Sequence, residues 1–220
     1  MIKYYGTPLT PTSKFVEILK GRNCLIPYPR PQDIYKAIIF CDKVIIDNGA
    51  FTLWRKGGHI DWNDFYEWLD HIFEYIEFFF IPDVIDGSEN ENNELILDYE
   101  KRNIGKGIPI WHVNESLSRL KWLMSKFDYI AFGSAGEYSK LGTEKWNKKM
   151  HKAMKVVCNK KGKPKVKIHM LRCLDPKIFT KYPFHSGDST SLAQNYKRDG
   201  YKNILNRVEP FNSPKKYKKD

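Results

Sequence analysis

Two acids in this chain stand directly after short apolar runs, where parallel α/β proteins usually place their chemistry. Lys43-Val44-Ile45-Ile46 delivers Asp47-Asn48-Gly49-Ala50-Phe51, and Phe184-His185-Ser186-Gly187-Asp188-Ser189-Thr190-Ser191 repeats the arrangement far downstream. A β-branched run has strand character, and a glycine beside an acid marks the exit into a loop, so each segment presents a carboxylate at a strand end. Two acids far apart in sequence, each at an expected strand end, suggest one site with two carboxylate roles. Taken alone, Asp47 equally suits an acid that caps a turn or helix.

Positioning such acids requires a regular alternation of strands and helices, and the hydrophobic pattern supplies one. Strands are expected at Ile2–Tyr5, Cys24–Pro27, Val44–Ile46, Phe78–Ile81, Ile108–Val113, Tyr129–Phe132, Val166–Leu171 and, more weakly marked, Phe184–Gly187. Helical patterns fall between them at Pro11–Leu19, Gln32–Phe40, Asp61–Ile76, Asn90–Arg102, Ser116–Lys126, Thr143–Cys158 and Asp175–Thr180. About eight βα steps in 220 residues predict an α/β fold, a compact single-domain TIM-like (β/α)8 barrel near its lower size limit. Periodicity alone does not separate this barrel from a doubly wound open sheet. The barrel is expected over residues 1–206, with a flexible basic tail over 207–220.

In a (β/α)8 barrel the strands' C-terminal ends share one face. The residues at and just past those ends are therefore the candidates for a site: Asp47, Asp83, His112, Gly133-Ser134 with Glu137, and Asp188, joined by Phe51. Each has a bland reading: a buried core histidine at 112, a tight turn at 133–136, an Asx turn at Asp83. Their gathering at one mouth exceeds what stability requires.

Charge narrows the partners. Lys and Arg outnumber Asp and Glu by 37 to 26, a net charge of +11. The excess is concentrated in Lys140–Lys167, where Glu144 is the single acid, and in Pro214–Lys219. Concentrated positive charge is what phosphate backbones bind, through counterion release, although a solubilising lysine face has the same composition. Cys24, Cys41, Cys158 and Cys173 are scattered without the close pairing of a zinc site, so free thiols and no metal are expected. With no apolar signal core at Met1–Gly6 and no apolar run of bilayer length, a cytoplasmic protein is expected.

The order of these motifs resembles the tRNA-guanine transglycosylase superfamily, and within it the shorter DpdA-like branch that modifies DNA with 7-deazaguanines. Asp47-Asn48-Gly49-Ala50-Phe51 is similar to the family's Asp-Ser-Gly-Gly/Ala-Phe motif, with Asn48 in place of serine. Pro82-Asp83-Val84 resembles its base-reading acidic segment. Pro109-Ile110-Trp111-His112 lies where the family has Val-Gln-Gly-Gly, and Phe132-Gly133-Ser134-Ala135-Gly136-Glu137 is similar to its Gly-Gly-Leu-Ala-Val-Gly-Glu run. The stretch from Met170-Leu171 to Asp188-Ser189-Thr190 resembles the closing segment with the catalytic aspartate.

The resemblance implies exchange of guanine in nucleic acid for a 7-deazaguanine through a covalent aspartyl–sugar intermediate, with no cofactor. It implies Asp188 as nucleophile and Asp47 as general acid/base or base-positioning acid. Asp83 would read the Watson–Crick edge, His112, Gly133 and Ser134 would hold the other edge, and Phe51 and Tyr138 would stack on an extruded base. The family's Cys/His zinc site, which helps dock tRNA, has no counterpart, so DNA is expected as substrate ahead of tRNA. The short form suggests a phage or mobile element. Two other classes fit the same residues: a non-catalytic nucleic-acid-binding relative, and a barrel hydrolase of free nucleosides.

Overall fold

The structure, a computed structural model, describes residues 1–29, 31–58 and 61–218. It divides into two units, Tyr4–Ile108 and a second made of Met1–Lys3 with the chain from Pro109 onward.

The first unit alternates strands and helices in the expected way. It runs β1 (Ile2–Gly6, which begins in the other unit), α1 (Thr12–Leu19), β2 (Asn23–Pro27), α2 (Ile34–Phe40) and β3 (Lys43–Asp47). Then come α3 (Ala50–Lys56), α4 (Trp62–Asp70), β4 (Phe78–Phe80), α5 (Glu89–Arg102) and β5 (Gly107–Ile108). All the strand pairs are parallel, β1 with β2, β2 with β3, β3 with β4 and β4 with β5. Val44, Ile45 and Ile46 are buried, as are all three phenylalanines of β4. Strands covered on both faces read as continuous apolar runs, which is why these two stood out in the sequence. Ser88 and Glu91 form a reciprocal capping box that fixes the start of α5.

The second unit continues with β6 (Ile110–His112), α6 (Leu117–Lys126), β7 (Tyr129–Gly133), α7 (Glu144–Val157) and β8 (Lys167–Met170). It ends with α8 (Pro176–Phe179), β9 (Ser186–Ser189), α9 (Ser191–Asn195) and α10 (Tyr201–Val208). Strands β6 to β9 pair in parallel in chain order, and Ile2 N–H donates to His185 O at 2.9 Å, placing the start of β1 beside β9. Helix α7 buries Trp146, Met150, Ala153, Met154 and Val157, one stripe at helical spacing, and Thr143 caps its start.

The strand order is β5-β4-β3-β2-β1-β9-β8-β7-β6. Strands β5 and β6 are one strand interrupted at Pro109, so the order begins and ends on the same strand. That is the topology of a nearly closed, TIM-like α/β barrel. Pro109 lacks an N–H and interrupts the ladder, but its carbonyl still accepts from Ala131 N at 2.9 Å.

Several expectations need adjustment. The predicted helix over 61–76 ends at Asp70 and resumes as a 3-10 turn at Phe73–Tyr75. Helices α3, α9 and α10 had no predicted counterpart. The tail is anchored where it was expected to be flexible: residues 207 and 208 belong to α10, and Tyr217 is buried. Tyr217 N donates to Gly162 O at 2.8 Å, its ring stacks on Tyr182 at 8°, and its hydroxyl meets His151 Nδ1. An aromatic residue seated this way outweighs the solvating tendency of the lysines around it. Residues 219 and 220 lie outside the described residues. All four cysteines are free, and no helix among the described residues is long and apolar enough to cross a membrane.

Candidate active site

The chemistry-bearing residues fall into one cluster within each unit. In the second unit the cluster is built across β8 and β9. The ladder sets His169 opposite Ser186, and Asp188 lies two residues further along β9 on the same strand face. His169 Nδ1 is 2.6 Å from Ser186 Oγ, and its Nε2 is 3.0 Å from Asp188 Oδ1. Ser186 Oγ is also 2.5 Å from Tyr129 OH. A neutral imidazole protonated on Nε2 satisfies every member at once. Tyr129 donates to Ser186, Ser186 donates to Nδ1, and Nε2–H donates to the carboxylate. His169 and Ser186 are wholly buried and Asp188 is 4% exposed, so these hydrogen bonds act in a medium where an unmade one is costly.

Arg172 completes the cradle. Its backbone N–H donates to the same Asp188 Oδ1 at 3.0 Å, and its guanidinium donates to the carbonyl of Ser134. It does so at φ +55, a left-handed conformation unfavourable for a side-chain-bearing residue. Both bonds to Asp188 fall on Oδ1, and among the described residues no protein group holds Oδ2. Burial, reinforced by the charges of Asp175 and Asp188, pushes the thiol of the neighbouring Cys173 up to about 12.

Gly133, Ser134 and His112 belong to the same unit. Ser134 Oγ accepts from the indole N–H of buried Trp146 at 2.9 Å. A side chain at Gly133 would sit 3.0 Å from His112 Nδ1, so glycine there leaves the imidazole its room. His112 N–H donates to Glu115 Oε2 at 2.9 Å, and the same oxygen is paired with the buried Arg119 guanidinium. Burial pushes the Glu115 carboxyl up, with Arg119 opposing. Glu137 stands apart from this group: its side chain is 56% exposed and pairs with Lys145, which holds its carboxyl below the usual range.

In the first unit Asp47, Asn48 and Asp83 come together at the ends of β3 and β4. Asp47 Oδ1 accepts from Gly49 N at 2.8 Å, closing a tight Asx turn. Asn48 Nδ2 donates to Asp83 Oδ1 at 2.8 Å and to Ile81 O at 2.9 Å, while its Oδ1 accepts from Ala50 N at 2.9 Å. Asn48 thus ties the two strand ends through two bonds and closes its own turn with a third, a task serine's single hydroxyl cannot fill. Gly49 opens α3 at φ +80, where a side chain would strike Pro29 Cδ at 2.2 Å. Phe51 lies on α3 with its ring 5.7 Å from that of Trp54.

Of the residues expected at one mouth, Asp47 and Asp83 meet within the first unit, while His112, Gly133, Ser134 and Asp188 lie in the second; His169, Ser186, Tyr129 and Arg172 had been given no role. One signal for His169 was present: a histidine within the apolar strand Lys167–Met170, at a position reserved for buried side chains. Among the described residues no His, Cys, Asp or Glu group is arranged to hold a metal ion.

No protein-family model and no curated protein matches this chain. A solved structure titled "Structural study of Project ID from Aquifex aeolicus VF5" is similar, with a TM-score of 0.57 at 14% identity. The match covers 95% of this chain and 90% of that one, and it supports the fold alone.

Proposed function

We propose that this protein is a transglycosylase that exchanges guanine in nucleic acid, DNA ahead of tRNA, for a 7-deazaguanine. What supports the reading most directly is the environment of Asp188. Its Oδ1 is fixed by the His169 imidazole and the Arg172 peptide, so the carboxylate is aimed while Oδ2 stays available. A buried nucleophile needs both properties, since rotation of the carboxylate would squander the geometry of attack.

In this reading Asp188 Oδ2 attacks the anomeric carbon and the glycosidic C–N bond breaks. The departing guanine keeps the bonding pair and gains a proton. The incoming 7-deazaguanine loses a proton, attacks the same carbon and releases the carboxylate. The sugar is inverted twice and so retains its configuration. The resemblance in motif order assigns the proton transfers to Asp47 and the reading of the purine edge to Asp83. His112 and the Gly133-Ser134 backbone hold the remaining edge.

The test is nucleoside mass spectrometry of DNA and of tRNA, each incubated with the protein and a 7-deazaguanine. Incorporation into DNA, with a covalent protein–nucleic acid band on a denaturing gel, is expected. Absence of incorporation into either polymer, or release of base from free nucleosides alone, overturns the reading.

A further inference from the structure

The two lysine-rich segments of the sequence, Lys140–Lys167 and the end of the chain, meet across one groove of the second unit. The groove has a volume of about 550 Å³. Lys163, Lys165 and Lys167 from one segment and Lys215 from the other line it, together with His185 and a single acid, Asp128. It lies at the N-terminal ends of β7, β8 and β9: Asp128 precedes Tyr129, Lys167 begins β8 and His185 precedes Ser186. Asp188 follows Ser186 toward the opposite end of β9.

This is a constructed surface rather than a fringe of loose lysines. The wall carrying Lys215 is anchored on both sides. Ser213 Oγ donates to Phe179 O at 3.0 Å, and Tyr217 is fastened to Gly162, Tyr182 and His151. Gly162 itself sits at φ +76, and a side chain there would lie 2.3 Å from Tyr217 O, so the two segments touch backbone to backbone. Lys167 Nζ is held 5.7 Å above the Tyr129 ring. Among the described residues no acid pairs with Lys163, Lys165 or Lys215. Four ammonium groups around one concavity with a single carboxylate give it a positive potential that attracts anions.

We infer that this groove binds a chain of phosphate groups, whether a nucleic-acid strand or a free polyphosphate. The inference is independent of base exchange, because binding is measured without turnover. The experiment uses fluorescence anisotropy with a labelled single-stranded DNA oligonucleotide, and calorimetry with inorganic tripolyphosphate. It compares the protein with two triple variants. One is Lys163→Gln/Lys165→Gln/Lys215→Gln. The other, Lys121→Gln/Lys152→Gln/Lys155→Gln, removes the same charge from exposed helix faces.

The groove variant is expected to bind the oligonucleotide about 10- to 100-fold more weakly, with the slope of log K against log salt reduced by about 2. The control variant is expected to change affinity less than about 3-fold. Loss of oligonucleotide binding in the groove variant identifies a nucleic-acid strand. Tripolyphosphate binding that disappears in the same variant identifies a free polyphosphate. Equal losses in the two variants, or no binding of either probe by the unaltered protein, overturn the inference.

Discussion

At the end of β3, Asp47 turns its carboxylate back onto the peptide of Gly49, two residues away. At the end of β9, Asp188 receives its bonds from His169 on the neighbouring strand and from Arg172 beyond that strand's end. Each acid lies near a glycine after strand-like sequence, yet the first serves its own turn and the second is served by distant residues. A carboxylate engaged within two residues stabilises a local shape, which any Asx turn can do. One held by groups 16 and 19 residues away is being aimed. The bonds that His169 and Arg172 make to Asp188 put the weight of the proposed chemistry on that acid, and substitution at both positions tests this.

The largest effect is expected for Asp188→Asn, which keeps the shape and removes the nucleophile. Base exchange should fall by about 10³-fold or more, equivalent to about 4 kcal/mol, with little change in melting temperature. Retained activity would remove Asp188 from the chemistry. His169→Ala leaves Ser186 and Asp188 without their shared partner in the interior. Denaturant unfolding should show a loss of about 3 kcal/mol, whereas an unchanged midpoint would mean the buried relay contributes nothing to stability.

Asp47→Asn is the mirror experiment. The amide oxygen can still accept from Gly49, so the turn survives and activity isolates proton transfer. A loss of about 10²-fold is expected from removal of a general acid. Unchanged exchange would reduce Asp47 to a turn residue. Gly49→Ala should cost about 2–3 kcal/mol, because the left-handed backbone and the Pro29 ring both oppose a side chain. In the other region, Gly187→Ala meets the Cys173 and Met170 carbonyls at 3.0 Å without a positive φ, so about 1 kcal/mol is expected. The smallest effect is reserved for Arg172. Changing it to glycine relieves the left-handed strain, so Arg172→Gly should be more stable than Arg172→Ala by about 1 kcal/mol.

The same contrast explains what was legible in the sequence. Strands β3 and β4 announced themselves because Val44-Ile45-Ile46 and Phe78-Phe79-Phe80 are apolar throughout. Strand β9 reads Ser-Gly-Asp-Ser, and its expected position at 184–187 was displaced two residues toward the apolar Phe184. Its interior face is polar because His169 supplies the partners, a fact carried by another strand and invisible to any local pattern. Asn48 and Gly49 were legible as a turn, whereas helix α3 behind them was not, since Ala50–Lys56 lacks a capping side chain. Arg172 gave little signal: its hold on Asp188 rests on a backbone N–H and an uncommon φ, neither of which depends on its being arginine, and only its bond to Ser134 O uses the guanidinium. The tail misled for a related reason, its lysines outnumbering the one tyrosine that holds it down.

The bond between Trp146 and Ser134 has an optical consequence. An indole's emission responds to the polarity and hydrogen bonding around its N–H, and this one is fully buried with its proton committed to Ser134 Oγ. Any base edge that draws the 133–134 turn toward itself will alter the light from this chromophore. The protein thus contains its own reporter for occupancy of the Gly133-Ser134 turn, and Trp146→Phe would silence it.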